Sequence, residues 1–156
     1  MWDYQIRDIE DLKRLNSKLG LSVKAQEDIS ILSHPVQAGK LLIPNAIAIQ
    51  PMEGCDGDSL GRPGELTLRR NKRFAAGGAG LIWVEATAVV PEGRANPRQL
   101  WINENNKEDF AAMVSMMRKT AVENFGSNHK PVIVLQLTHS GRYSKSEKDN
   151  HPIIPQ

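Results

Sequence analysis

The sequence VIVLQLTHSGR, from Val132 to Arg142, passes without a break from an apolar run into a polar cluster. An unbroken run of branched apolar residues is typical of a strand covered on both faces, as in parallel sheets. The polar side chains that follow the run are Gln136, Thr138, His139 and Arg142. The stretch therefore predicts a buried strand that delivers polar groups to one edge of a sheet.

Two earlier stretches have the same character. We predict strands at NAIAIQ (Asn45–Gln50) and GLIWVEA (Gly80–Ala86), with the third at Val132–Leu137. Helices are predicted between them, near Glu65–Ala76 and Lys107–Asn124, because glycines follow both segments and the second has an apolar stripe. This stripe consists of Phe110, Met113, Val114, Met117 and Ala121. This alternation predicts an α/β fold with adjacent parallel strands in chain order and both helices on one side.

The N-terminal stretch IRDIEDLKRLNSKLG has a separate helical pattern. Its leucines and Ile9 recur every three to four residues, and Gly20 ends the pattern. We predict that residues 1–38 form an N-terminal helical extension and that residues 39–156 form the α/β part.

Composition excludes several classes of protein. Of the 156 residues 40% are hydrophobic, enough for a core, and the net charge of +2 with scattered basic residues argues against a nucleic-acid partner. No apolar run reaches the 18 residues of a membrane span, and the charged N-terminus does not resemble a signal peptide. The single cysteine excludes an internal disulfide, so a cytoplasmic location is expected.

The three predicted strands end in IQPME, VEAT and LQLTH. If the strands are parallel, one edge of the sheet gathers the polar side chains of Gln50, Glu53, Glu85, Thr87, Gln136 and His139. The loops that follow the strands are long, and α/β barrels keep their chemistry in loops at this edge. The alternative is that each strand simply ends in something polar.

The segments IQPMEGCDG, GAGLIWVEATAVVPEGRANPRQL and VLQLTHSGR together resemble the Old Yellow Enzyme family of FMN-dependent NAD(P)H:flavin oxidoreductases, which includes the 2,4-dienoyl-CoA reductases. The resemblance extends from Pro44 to about Ser144. It implies a TIM (β/α)8 barrel with FMN at the C-terminal rim, of which this chain supplies the N-terminal part, about three βα units.

The resemblance also implies cofactor-binding residues. Pro51 and Met52 match a turn beside the flavin ring, and the backbone of Ala86 matches a segment that approaches the ring. Gln136 matches a glutamine whose amide donates and accepts at the pyrimidine edge. Glu53 departs from the family, which commonly has Thr, Cys or Ala there; a carboxylate would disfavour anionic reduced flavin, so Glu53 either turns away or is protonated.

The other candidates have competing interpretations. His139 is either a proton donor or, as we favour, a brace for its loop together with Arg142, so the catalytic residue stays unidentified. Cys55 either tunes a flavin or is inert. DGDSLG lacks the oxygen ligands of a calcium loop, and no metal site is expected. EGRANPRQLW, Glu92–Trp101, is either solvated surface or a lid.

The implied activity is hydride transfer from NAD(P)H through FMN to an activated alkene or enone, a small-molecule substrate. The sequence leaves open the substrate and the choice between NADH and NADPH. A barrel of this type takes roughly 250 residues, so we expect an N-terminal portion of a longer flavoprotein that is inactive alone. The alternative is a non-catalytic module that associates, as a homo-oligomer for example, through an exposed sheet edge.

Overall fold

The computed structural model describes residues 6–147, which fall into two compact units that separate after Ile31. The outer ends of the two predicted segments 1–38 and 39–156, namely residues 1–5 and 148–156, lie outside the described residues. The boundary at residue 38 stays a prediction.

The first unit contains helix α1, Ile9–Leu19. The Asp8 side chain caps its start by accepting a hydrogen bond from the Asp11 backbone N–H at 2.7 Å. Gly20 ends it in the left-handed region, with φ of 64°, as the sequence predicts.

The second unit opens with a hairpin that the sequence analysis did not predict. Strands β1 (Val36–Ala38) and β2 (Leu41–Ile43) pair antiparallel. Gly39 takes the left-handed conformation in the turn between them, with φ of 59°.

The main sheet has three parallel strands in the order β3-β4-β5. These strands are β3 (Ala48–Ile49), β4 (Leu81–Ala88) and β5 (Val132–Thr138). Helix α2 (Glu65–Ala76) joins the first two, and helix α3 (Lys107–Phe125) joins the last two. The predicted α/β order and the parallel pairing are confirmed.

Strand β3 is shorter than the predicted strand Asn45–Gln50. At the predicted start, hydrogen bonds from the Asn45 side chain take the place of backbone pairing between strands. The Asn45 side chain donates to the Gly78 carbonyl at 2.7 Å and accepts from the Gly80 N–H at 2.7 Å. The start of β4 is thereby tied to the segment before β3 by a side chain.

The hydrophobic core lies on one side of the sheet, between β4 and the two helices. Its buried residues include Ala75, Ile82, Val84, Leu100, Phe110, Met113, Met117 and Ala121. Alternation along the regular part of β4 sends Trp83, which is 40% exposed, to the opposite face. No helix within residues 6–147 is long and apolar enough to cross a membrane.

Candidate functional site

The parallel register brings the C-terminal ends of the three strands to one edge of the sheet. Val84 of β4 lies level with Leu135 of β5, and a bulge follows in β4 before Thr87 pairs with Leu137. The predicted cofactor-binding residues Pro51, Met52, Glu53, Ala86 and Gln136 all lie at or just beyond this edge, which we call the rim.

The turn that follows β3 contributes the first three of these residues. Pro51 is half-buried, and Met52 is 71% exposed, an apolar side chain presented at the rim. Glu53 is exposed, and partial desolvation together with the negative charge of Glu85 raises the pKa of its carboxyl group. This shift is in the direction of the protonated alternative that the sequence left open.

Ala86 and Gln136 occupy neighbouring strands. Ala86 is buried, and its carbonyl accepts a hydrogen bond from Gln99 Nε2 at 3.1 Å. The Gln136 side chain is half-buried and has no hydrogen-bond partner within the described part of the chain. Its amide donors and its acceptor are therefore available to a bound group.

An ion-pair network lies beside the turn. Arg70, on α2, contacts Glu85 Oε1 through Nη2 and Asp56 Oδ2 through Nη1 at 2.7 Å. Thr67 donates its hydroxyl hydrogen to Asp56. Burial alone would raise the pKa of Asp56, but hydrogen bonds from Arg70 and Thr67 and the charge of Arg70 lower it overall.

Sequence reasoning placed Glu85 at the rim but missed Asp56 and Arg70. Both residues lie in polar stretches, where a charged side chain usually faces solvent. The pair is 14 residues apart across a loop, and no periodic pattern marks such a contact. The available signal was an acidic residue near the C-terminal end of each of the strands β3 and β4, namely Glu53 and Glu85, which calls for a nearby cation.

The loop after β4 is folded against the rim. The backbone of Ala88 exchanges hydrogen bonds with Leu100 and Ile102, at 2.8 and 3.0 Å. Arg94 is buried and donates to the Pro97 carbonyl at 3.0 Å, with its guanidinium 5.9 Å from the Trp101 ring centroid. The solvated-surface interpretation of Glu92–Trp101 is therefore wrong for Arg94, Gln99 and Leu100, because these residues are buried. Hydrogen bonds to backbone carbonyl groups satisfy the side chains of Arg94 and Gln99.

His139 lies against this loop. Its Nδ1 accepts the Gly141 N–H at 3.0 Å, and a Cβ added to Gly93 would come within 2.8 Å of the imidazole Cδ2. The Ser140 N–H donates to the Gly93 carbonyl at 2.8 Å. These contacts support the interpretation that His139 braces the loop.

Cys55 is exposed and has a φ of 49°, unusual for a residue other than glycine. Asn96 Nδ2 lies 3.0 Å from its sulfur. Among residues 6–147, no group of three or more His, Cys, Asp or Glu side chains could hold a metal ion.

Comparisons with known proteins identify relatives of this arrangement. No family model matches the sequence. The NADPH dehydrogenase of Clostridium acetobutylicum is 32% identical over 116 residues, which are 74% of this chain and 31% of that protein. The structure of morphinone reductase in complex with tetrahydroNAD is 25% identical with a TM-score of 0.58, over 72% of this chain and 28% of that one.

The old yellow enzyme from Trypanosoma cruzi has the same fold at 24% identity, with a TM-score of 0.58, over 73% of this chain and 28% of its own. The chain thus spans about a third of the length of these relatives.

Proposed function

We propose, because this chain belongs to the Old Yellow Enzyme family and forms part of its (β/α)8 barrel, that it carries the flavin-ring contacts of an FMN-dependent oxidoreductase. The chain covers 31% of the NADPH dehydrogenase. The activity of the whole protein, its reductant and its substrate are therefore parts of the proposal.

The proposed cofactor-binding residues are Pro51, Met52, Glu53, Ala86 and Gln136. The observation that carries the proposal is the half-buried amide of Gln136, on the strand next to Ala86, which has no hydrogen-bond partner among residues 6–147. A flavin pyrimidine edge has both donors and acceptors, and a primary amide can satisfy both kinds. The exposed Met52 side chain supplies an apolar surface of the kind that a planar ring needs at the rim.

FMN bound at this site would supply the hydride chemistry, which is uptake of a hydride from NAD(P)H and its transfer to an activated alkene or enone. In this proposal Pro51 and Met52 pack along the ring, and Gln136 orients it. The small side chain of Ala86 leaves space for the ring close to the strand. Partial desolvation and the charge of Glu85 raise the pKa of the Glu53 carboxyl group, which is the direction that lessens repulsion of negative charge on a reduced ring.

The relatives carry both kinds of nicotinamide in their names. One is an NADPH dehydrogenase, and the morphinone reductase structure contains tetrahydroNAD. The proposal for this protein is accordingly NAD(P)H as the reductant and a small molecule as the substrate. A cytoplasmic location remains part of it.

Gln136→Leu in the full-length protein tests the assignment. The substitution keeps a similar volume but removes the hydrogen bond to the ring, worth about 1 kcal/mol or about a five-fold rise in Kd for FMN, and more if a ring atom stays buried without a partner. Flavin-fluorescence quenching on titration measures the Kd. Gln37→Leu, the same change on the hairpin strand β1, is the matched control and should bind like the wild type. Equal affinities in all three proteins would contradict the role of Gln136.

One observation favours a second function, the non-catalytic module. Within the described residues β5 pairs only with β4, so its other edge has no partner strand, and Leu137 is 61% exposed. An edge of this kind pairs readily with another chain. A purified full-length protein that is colourless and binds no added FMN would favour this function.

A further inference from the structure

A largely buried ion-pair cluster, which we call the Arg70 network, joins helix α2 to the rim. It consists of Asp56, Arg70 and Glu85, whose side chains are 10%, 24% and 3% exposed. Asp56 follows the β3 turn, Arg70 is in the middle of α2, and Glu85 is in β4. The network therefore connects the loop, the helix and the strand that surround the turn.

The guanidinium group of Arg70 is held by two carboxylates. It makes a forked contact with Asp56, Nη1 to Oδ2 at 2.7 Å and Nη2 to Oδ1 at 3.3 Å, while Nη2 also contacts Glu85 Oε1. A planar, forked donor suits this task better than a lysine ammonium group. With Arg70 in place, two largely buried carboxylates share one compensating cation.

Gly54 transmits this arrangement to the turn. Its backbone N–H donates to Glu85 Oε2 at 2.8 Å. A Cβ added to Gly54 would lie 2.1 Å from Arg70 Nη1, so the backbone packs directly on the guanidinium group. The turn Pro51–Glu53 is thus anchored by the network after Glu53, and by the pairing of Ile49 with Ile82 before Pro51.

We propose that Arg70 is a positioning residue that holds Glu85 and Gly54 so that the turn Pro51–Glu53 keeps one conformation at the cofactor site. The inference rests on the proposed function and extends it to residues that do not touch the ring. Without Arg70, the carboxylates of Asp56 and Glu85 would face each other uncompensated, with Glu53 nearby, and their repulsion would open the turn.

The test compares Arg70→Met with Arg69→Met in the full-length protein. Arg69 is the adjacent, exposed arginine of α2 and makes no ion pair within the described residues. Hydrogen exchange of a peptide covering residues 51–58 reports on the turn, and FMN titration reports on the site. Arg70→Met should speed exchange of this peptide and raise the Kd for FMN, each about ten-fold, whereas Arg69→Met should change neither.

Two further measurements separate positioning from general stability. The flavin midpoint potential should move to more negative values in Arg70→Met, because a positive charge near the site is lost, and should not move in Arg69→Met. Arg70→Lys should restore part of the FMN affinity. If Arg70→Met does not fold, Glu85→Gln is measured in its place. The amide oxygen of the new side chain can still accept the Gly54 N–H, whereas the negative charge of Glu85 is lost.

The outcomes are distinct. Unchanged exchange of residues 51–58 in Arg70→Met overturns the proposal, and so does faster exchange with unchanged FMN affinity. Full-length wild-type protein that binds no FMN defeats the proposed function. The exchange comparison then still decides whether the network holds the turn.

Discussion

Gly61 shows how one residue couples the two loops at the rim. Its φ is 77°, its carbonyl accepts the Trp101 N–H at 3.1 Å, and an added Cβ would lie 2.6 Å from the Trp101 carbonyl oxygen. Gly39, in the hairpin turn, also has a positive φ, but nothing lies within 4 Å of an added Cβ. The two glycines share backbone strain and differ in steric surroundings.

Gly61→Ala should therefore destabilise the protein more than Gly39→Ala. Left-handed strain costs about 1–2 kcal/mol at either position, and forcing Cβ into fixed backbone adds about 1–3 kcal/mol at Gly61 only. Denaturant unfolding of both variants measures the difference in the free energy of unfolding. Equal losses would mean that the contact between Gly61 and Trp101 relaxes without cost.

At this scale the sequence reveals residues whose role is local. Gly20 was predicted to end α1 because the end of a helix needs a left-handed residue, and this requirement is independent of the rest of the fold. The contact of Arg70 with Asp56 and Glu85 depends on the packing of α2 beside β4. Such a contact could not be predicted before the relative placement of helix and strand was known.

Helix α3 illustrates the element scale. The sequence predicted an apolar face from Phe110, Met113, Val114, Met117 and Ala121, and all of these except Val114 are buried in the core. Met117 is fully buried, whereas its neighbour Met116 is only partly buried and packs at the margin of the core. Substitutions at these two methionines therefore compare the centre of the interface between α3 and the core with its margin.

We expect Met117→Ala to cost about 2–5 kcal/mol, because it removes buried thioether and methylene groups and leaves a cavity. Met116→Ala removes the same atoms from a partly hydrated position and should cost clearly less. Chemical denaturation with far-UV circular dichroism measures both losses. A larger loss for Met116 would contradict the packing of α3 described above.

Elements with strong periodicity were predictable, and the others were not. Strand β4 and helix α3 have apolar patterns that their burial imposes. Strand β5, predicted as buried, is half-buried along most of its length because its outer side has no strand beside it within the described residues. Helix α2 buries Thr67, Asn71 and Ala75, and it was predictable from the glycines that follow it. The hairpin strands have three residues each and mostly exposed side chains, so no alternation marks them. The loop from Pro91 to Trp101 is buried through backbone and amide hydrogen bonds, which a hydrophobic pattern does not record.

At the scale of the molecule, the sheet is open within the described residues. Its order β3-β4-β5 leaves one side of β3 and one side of β5 without a strand. The proposed ring contacts lie along the rim. Because the sheet is open on both sides, the rim is open to solvent, where hydrogen bonds to a ligand are weaker than in an enclosed pocket. We therefore expect the 156-residue chain alone to hold FMN weakly.

The open side of β5 leads to a prediction about association. Leu137 is 61% exposed near the end of this strand, and an unpaired strand with an exposed apolar residue is a template for pairing with a second copy. A lysine there opposes pairing through its charge and its cost of desolvation. Leu137→Lys should therefore reduce self-association of the 156-residue chain at least several-fold.

Sedimentation velocity over a range of protein concentrations measures this association. Leu60→Lys, the same change at a 54% exposed leucine in the loop after β3, is the control and should associate like the wild type. If both lysine variants reduce association equally, the effect is one of net charge, and the edge of β5 is not the contact. If neither does, the chain either remains a monomer or associates through another surface, and circular dichroism confirms that the variants compared are folded.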